Sequence, residues 1–206
     1  MSANGVFVTG TGTGIGKTLA SAWLVRSWGA DYWKPVQSGA DERDADVIRQ
    51  AVPNVVIHPS AYLLKEPLSP HESARRQGVT IRLDVFRLPP SRRPVVVEGA
   101  GGVLVPLNDH DQMVDLMALL GLPVVVVASS GLGTINHTLM TLEALRQRRL
   151  PVAGVIMSGA ENPSNRQAIE SFGGVKVVAE MPLVNGPLAV AKLPKLRWAP
   201  ESLCVD

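Results

Sequence analysis

Residues 10–18 read GTGTGIGKT, a glycine-rich stretch that ends in a lysine and a threonine. It follows the apolar run Val6–Thr9 and precedes an amphipathic segment that predicts a helix over Lys17–Trp28. Glycines between a strand and a helix let backbone N–H groups converge on phosphate oxygens, and the helix N-terminus adds a positive partial charge. The stretch therefore predicts a phosphate-binding turn.

The turn resembles the P-loop, in which a lysine reaches the β and γ phosphates and the next hydroxyl binds Mg²⁺. Lys17 and Thr18 occupy those two positions. The usual glycine six residues before the lysine is replaced by Thr11, and Gly10 stands one place earlier, so the loop is one residue longer. A dinucleotide-binding turn could also use these glycines, but it has no use for the lysine. The motif favours Mg²⁺ and ATP or another nucleoside triphosphate.

Short apolar strands alternate with helical segments along the rest of the chain. Val95–Val97 and Leu122–Ala128 are continuous apolar runs, which is typical of strands buried on both faces of a sheet. The alternation predicts an α/β fold, a single P-loop NTPase domain over residues 1–206 with a mostly parallel sheet and helices on both faces. Residues 58–72 are rich in proline and are expected to be irregular, and Thr80–Phe86 is expected to form a short helix.

Composition excludes several classes of function. The formal net charge of the 206 residues is +2, and basic residues cluster only in short spots, so no nucleic acid partner is expected. No apolar run is long enough to span a bilayer, and the N-terminus lacks the pattern of a signal peptide. The single cysteine, Cys204, suggests a reducing compartment. We expect a cytoplasmic protein without a membrane partner.

Polar residues follow the second predicted strand. Lys34 and Ser38 could hold a second anion, although an exposed turn would look the same in the sequence. Asp46 lies near the start of a predicted helix, where it could either favour the helix dipole or bind a metal ion. The residues alone leave both alternatives open.

Two further clusters follow later strands. Glu98 ends a valine-rich strand, where P-loop proteins keep an acid that engages Mg²⁺, and Gly99 and Gly101 would let a ligand approach the backbone. The segment Gly131–His137 begins a helix, whose N-terminus could bind a carboxylate. Ordinary capping by Thr134 would also explain that segment.

Taken together, these segments resemble the dethiobiotin synthetase family. The resemblance covers residues 6 to about 160, and the longer P-loop is itself a trait of that family. The matching segments are Val8–Thr18, Lys34–Gly39, Glu66–His71, Val97–Gly102 and Gly133–His137.

The resemblance implies a ligase that uses CO₂ or bicarbonate and 7,8-diaminopelargonic acid, a nine-carbon acid with two adjacent amines. One amine takes up CO₂ as a carbamate. The γ-phosphoryl group of a nucleotide passes to the carbamate oxygen, and the second amine then closes a five-membered ureido ring and expels phosphate.

The resemblance also implies roles for individual residues. Lys17, Lys34, Ser38 and Thr13 would serve the reacting groups, and the metal ligands would be Thr18, Asp46 and Glu98. A homodimer is implied, in which the segment Gly133, Thr134, Ile135 and Asn136 meets the substrate carboxylate in the partner's site. The residues implied to bind the nucleotide are Gly12, Thr13, Gly14, Ile15, Gly16, Lys17, Thr18, Glu98, Gly99, Gly101, Ser158 and Pro182.

One departure concerns the nucleotide base. Members of the family that use ATP often carry an Asn-Asp pair where this chain has Ser158-Gly159. An asparagine can read the adenine edge with a paired donor and acceptor, whereas a serine cannot. The sequence therefore predicts a relaxed choice among nucleoside triphosphates.

Three other functions use a similar glycine-rich turn. Partition or division-site ATPases carry another lysine five residues before the P-loop lysine, but Gly12 stands there. A cobyrinate-type amidotransferase would need a glutaminase domain with a nucleophilic cysteine, which this chain does not supply. A non-catalytic nucleotide-binding module remains open, and phosphate release with and without the diamine would distinguish it.

Overall fold

A computed structural model describes residues 4–41 and 43–200. Cys204 lies outside the described residues. The nine strands of the described part are β1 Gly5–Gly10, β2 Asp31–Trp33, β3 Val36–Ser38, β4 Ile57–His58, β5 Tyr62–Leu64, β6 Val95–Gly102, β7 Val124–Ser129, β8 Val152–Ser158 and β9 Val177–Met181. Its seven α-helices are α1 Lys17–Trp28, α2 Asp44–Ala51, α3 Pro70–Arg76, α4 Met113–Leu120, α5 Thr134–Gln147, α6 Pro163–Gly173 and α7 Pro187–Val190.

Seven strands form one sheet in the order β4-β2-β6-β1-β7-β8-β9, and every pairing in it is parallel. Strands β3 and β5 form a separate parallel pair. Because β2, β6 and β1 are neighbours, the residues at their carboxyl ends meet at one edge of the sheet. The predicted α/β P-loop fold with a single domain is confirmed.

Alternating side chains divide the apolar residues between the two faces of the sheet. Val6 and Val8 pack with residues of α1 and α2 on one face, and Phe7 packs with residues of α4 and α5 on the other. The valines of β7 are completely buried on both faces. Helices therefore cover both sides, as predicted for a parallel sheet of continuous apolar strands.

Three segments differ from the expectation. The proline-rich residues 58–72 contain β5 and the start of α3, because Pro70 occupies the first turn of a helix, where its missing N–H costs nothing. Thr80–Phe86 contains only a 3₁₀ turn, Leu83–Val85. The apolar residues of Val175–Val178 predict the last strand there, but in the structure this strand runs over residues 177–181.

Within the described residues, none of the helices combines the length and apolar character that crossing a bilayer requires.

Candidate active site

The glycine-rich turn joins β1 to α1 at the carboxyl edge of the sheet. Gly14 and Gly16 adopt positive φ values of 73° and 96°, which strain residues with a side chain. Gly16 directly precedes the first helical residue, Lys17. The turn therefore has the backbone conformation and the helix N-terminus that a phosphate requires.

Lys17 is buried at the base of this turn. Its residue is only 7 % exposed, and Nζ donates a hydrogen bond to the Gly12 carbonyl oxygen at 2.7 Å. Burial lowers the pKa of Lys17 below its ordinary value, and the nearby charge of Glu98 offsets only part of that effect. A bound anion would relieve the cost of burying this ammonium group.

A second ammonium group, that of Lys34, lies between two carboxylates. Its Nζ is 3.1 Å from Glu98 Oε1 and forms a close ion pair with Asp44 Oδ2. The Thr18 hydroxyl lies 2.8 Å from Asp44 Oδ1 and 2.9 Å from Glu98 Oε1. Because this hydroxyl has one proton, it donates to one carboxylate at a time. Two carboxylates therefore flank the Lys34 ammonium group, and the Thr18 hydroxyl lies within hydrogen-bond distance of both carboxylates.

The charges in this cluster favour the ionised lysine. Burial alone would lower the pKa of Lys34, but the charges of Glu98 and Asp44 outweigh it and raise that pKa above its ordinary value. The Lys34 ammonium group therefore stays charged although it is buried.

The aspartate in this cluster is Asp44, and the assignment of Asp46 to the metal set is corrected. Asp46 points away from the cluster and pairs with Arg49 at 2.7 Å, with more than half of its side chain exposed. Asp44, Ile48 and Ala51 share the buried face of α2, because residues four and three apart align on a helix. Asp46 lies on another face of the same helix and cannot reach Thr18.

Besides Asp44, two residues that contact the cluster were not predicted from the sequence. Tyr32 is completely buried, and its hydroxyl donates to Glu98 Oε2 at 3.0 Å. Gln37 accepts a hydrogen bond from the Asp44 backbone N–H through Oε1 at 3.2 Å, which fixes the start of α2. The spacing of apolar residues in α2 could have identified Asp44, but no signal in the sequence identifies Tyr32.

The cluster forms the floor of a cavity of about 970 Å³. Ser38 lies on its wall, and the Ser38 hydroxyl is buried without a hydrogen-bond partner among the described residues. An unpaired buried hydroxyl is costly, so a ligand atom is the natural partner. The cavity brings together nine of the predicted site residues, namely Thr13, Gly14, Gly16, Lys17, Thr18, Lys34, Ser38, Glu98 and Gly101.

Other predicted nucleotide contacts lie beside the cavity. Ile15 is half-buried and packs with the apolar core under α1. A methyl group on Gly16 would lie 2.8 Å from Ser158 Oγ, so Ser158 packs directly against the turn. Pro182 follows the last residue of β9, Met181, which also contacts this glycine. Gly99 differs, because a side chain there would point at the Phe7 ring in the core.

The segment Gly133–Asn136 does not join this cavity within one chain. Gly133 and Asn136 are exposed, whereas Thr134 is buried and its hydroxyl donates to the Ser129 carbonyl oxygen. The neighbouring Leu132 is fully exposed. The segment thus presents a helix N-terminus on the surface, away from Lys17 and Lys34.

The arrangement can bind two anions side by side. The turn and Lys17 suit the phosphates of a nucleotide, and Lys34 and Ser38 provide a second positive and polar corner on the same cavity. Two carboxylates and a hydroxyl are hard oxygen donors, which suit Mg²⁺. Such a site can hold a phosphoryl donor and an anionic acceptor close together.

Comparison with known proteins agrees with this fold. A family described as "AAA domain" matches residues 4–186. In a search of solved structures, a ParA family ATPase from Chlorobium tepidum superposes with a TM-score of 0.61 at 14% identity, over 98% of this chain and 95% of that one. At this identity the likeness shows the fold alone.

The sequence relatives are much closer. The chain is 60% identical over 178 residues to an ATP-dependent dethiobiotin synthetase BioD of Paramagnetospirillum magneticum, covering 86% of this chain and 87% of that protein. It is 47% identical over 184 residues to the BioD of Brucella ovis, covering 87% and 86% respectively. With this identity over most of both proteins, the chain belongs to the dethiobiotin synthetase family.

Proposed function

We propose that this protein is an ATP-dependent dethiobiotin synthetase, which closes a ureido ring on 7,8-diaminopelargonic acid with CO₂. The observation that carries the proposal is the pair of buried ammonium groups, Lys17 and Lys34, on one cavity. A phosphoryl transfer to a carbamate requires two anions to approach each other, and two buried cations are what reduces their repulsion.

The residues fit a bound Mg²⁺ ion. The Lys34 ammonium lies against Asp44 and Glu98, where it stands in for a cation held by oxygen donors. No group of three or more His, Cys, Asp or Glu side chains converges within residues 4–41 and 43–200, and this site offers two carboxylates and one hydroxyl. Mg²⁺ needs few protein ligands, because waters and phosphates complete its coordination. The proposed set is Thr18, Asp44 and Glu98, with Asp44 in place of Asp46.

The chain's own residues then divide the work. Mg²⁺, when bound, would neutralise charge on the phosphates. Lys17 and the N–H groups of the turn would hold the phosphate tail in line with the acceptor. Lys34 would hold the anionic carbamate, and the unpaired Ser38 hydroxyl would donate to one of its oxygens. Thr13, exposed at the cavity mouth, would lie beside the diamine.

The reaction needs little covalent participation from the protein. The carbamate oxygen attacks the γ phosphorus, and the bond to the β-phosphate oxygen breaks. The second amine then attacks the carbon of the mixed anhydride, loses a proton and expels phosphate. Positioning and charge neutralisation supply most of the catalysis in such transfers.

Two alternative functions are less well supported. A partition-type ATPase shares the fold, but this chain has Gly12 where those proteins carry their additional lysine. A non-catalytic nucleotide module would not need the second cation, Lys34, or the unpaired Ser38 hydroxyl on the cavity wall.

We also propose a cytoplasmic homodimer in which Gly133–Asn136 binds the substrate carboxylate in the partner's cavity. The exposed N-terminus of α5 supports this role, because its N–H groups suit a carboxylate. The exposed side chains of Leu132 and Met140 provide apolar surface next to it.

The decisive test is the incorporation of labelled bicarbonate into product by the purified protein with Mg²⁺, ATP and the diamine. We expect incorporation in the wild type and a loss of about a hundredfold or more in Lys17→Ala and in Lys34→Ala, because each removes a cation that faces a reacting anion. Circular dichroism, recorded with Mg²⁺ so that a cation remains available to Glu98 and Asp44 in Lys34→Ala, should show an intact fold in both variants. Normal turnover in either variant would contradict the mechanism.

Asp44→Asn should weaken the response to Mg²⁺ by at least about tenfold, because it removes one of two carboxylates from the cation site. Asp46→Asn is the matched control, since it makes the same chemical change on the exposed face of α2. The Mg²⁺ concentration for half-maximal turnover measures the effect. Equal Mg²⁺ responses of the two variants would contradict the assignment of Asp44, in place of Asp46, to the Mg²⁺ site.

Mixing two inactive variants tests the shared site. Lys17→Ala disables the phosphate side, and Asn136→Asp places a negative charge against the substrate carboxylate. Random mixing makes half of the dimers hybrid, and each hybrid has one intact site, so activity should recover to about a quarter of the wild-type value. No recovery after subunit exchange, or a monomer in sedimentation, would exclude a shared site.

Turnover with CTP and GTP should fall within about tenfold of turnover with ATP, which corresponds to about 1.4 kcal/mol. The reason is that Ser158 cannot offer the paired donor and acceptor that reads adenine. Steady-state kinetics at saturating diamine measure the ratios. Strict dependence on ATP would show that other groups read the base.

A further inference from the structure

A buried phenol stands behind the carboxylate cluster. Tyr32 lies on β2, is completely inaccessible to solvent, and donates its hydroxyl to Glu98 Oε2 at 3.0 Å. Filling the core does not require that hydroxyl, because a phenylalanine would occupy nearly the same volume. A tyrosine buried here needs a partner for its O–H group, and it has found a residue of the cation site.

The register of the sheet explains how the two side chains meet. Tyr32 pairs with Val96 on the neighbouring strand β6, and Glu98 follows two residues later on the same face. The long tyrosine side chain reaches along that face to the carboxylate. Lys34, two residues after Tyr32, reaches the same carboxylate from further along the chain.

The two oxygens of Glu98 have separate partners. Oε1 faces the Thr18 hydroxyl at 2.9 Å and the Lys34 ammonium at 3.1 Å, whereas Oε2 faces only Tyr32 among the hydrogen bonds of the described residues. The terminal torsion of a glutamate is broad, so contacts on one oxygen leave the plane of the carboxylate loosely defined. A donor on the second oxygen restricts that rotation.

We propose that Tyr32 is a positioning residue for Glu98, which holds the carboxylate plane so that Oε1 alone is presented to the cation. This role rests on the proposed function, in which Glu98 belongs to the Mg²⁺ set. The hydroxyl also occupies Oε2, so only Oε1 of Glu98 would face a bound Mg²⁺ ion. Mg²⁺ usually takes few protein ligands and keeps several waters.

The hydrogen bond from Tyr32 to Glu98 Oε2, at 3.0 Å, is the contact through which the hydroxyl would act on the cation site. Residues that hold a metal ligand from behind commonly affect metal affinity by 10- to 100-fold, roughly.

The test is the Mg²⁺ dependence of nucleotide binding, measured without turnover. Binding of a non-hydrolysable ATP analogue is followed by calorimetry over a series of Mg²⁺ concentrations. We expect Tyr32→Phe to raise the half-saturating Mg²⁺ concentration by about tenfold, while binding without Mg²⁺ stays unchanged. The expected change in activity follows the same Mg²⁺ shift and disappears at high Mg²⁺, with KM for the diamine unaltered.

The chain offers a matched control, because it contains only two tyrosines. The Tyr62 hydroxyl accepts a hydrogen bond from the Arg82 backbone N–H at 3.1 Å, away from the cation site. Tyr62→Phe therefore removes the same atom and should leave the Mg²⁺ dependence unchanged. An equal shift in both variants would overturn the proposal.

A second measurement separates positioning from loss of stability. In a Glu98→Gln background, Tyr32→Phe should cause no further shift in Mg²⁺ dependence, because the carboxylate that it orients is gone. An equal shift in both backgrounds would overturn the role of Tyr32, as would a wild-type response in the single variant. Wild-type binding that ignores Mg²⁺ would instead overturn the proposed metal set, and the role of Tyr32 with it.

Discussion

The buried ion pair between Lys34 and the carboxylates of Glu98 and Asp44 constrains the rest of the site. A buried ammonium group is tolerated only beside opposite charge, and buried carboxylates are tolerated only beside a cation. The parallel order β2-β6-β1 meets this requirement, because it brings Lys34, Glu98 and the phosphate-binding turn to one edge of the sheet. The start of α2, held by Gln37, completes the balance with Asp44. The order of the strands therefore brings together the opposite charges that a buried site at this edge requires.

The charges of the site also separate its two proposed tasks. It contains two ammonium groups and two carboxylates, so their formal charges cancel. Under the proposed function, Asp44 and Glu98 would hold the divalent cation, and Lys34 and Ser38 would face the anionic acceptor.

The sequence predicted the parts of the site whose chemistry is local. Each of these parts can be identified from a few neighbouring residues: the glycine-rich turn, its lysine, and the acid at the end of a valine-rich strand. Asp44 could have been predicted, because Ile48 and Ala51 define the buried face of α2 and Asp46 lies off that face. The role of Tyr32 could not be predicted, because its contact with Glu98 depends on the register between β2 and β6. The helix N-terminus at Gly133 stays a prediction, because its implied partner is another chain.

The site draws on both sheets of the fold. The turn follows β1, Thr18 lies on α1, and Glu98 lies on β6 of the main sheet. The second anion corner belongs to the small β3–β5 pair, which carries Ser38 and is covered by the segment Pro67–Pro70 on the cavity wall. A fold does not determine a reaction, whereas the residues added to it do. Under the proposed function, the acceptor side of the chemistry depends on this two-stranded pair and on Lys34, and changes there should alter the acceptor before they alter phosphate binding.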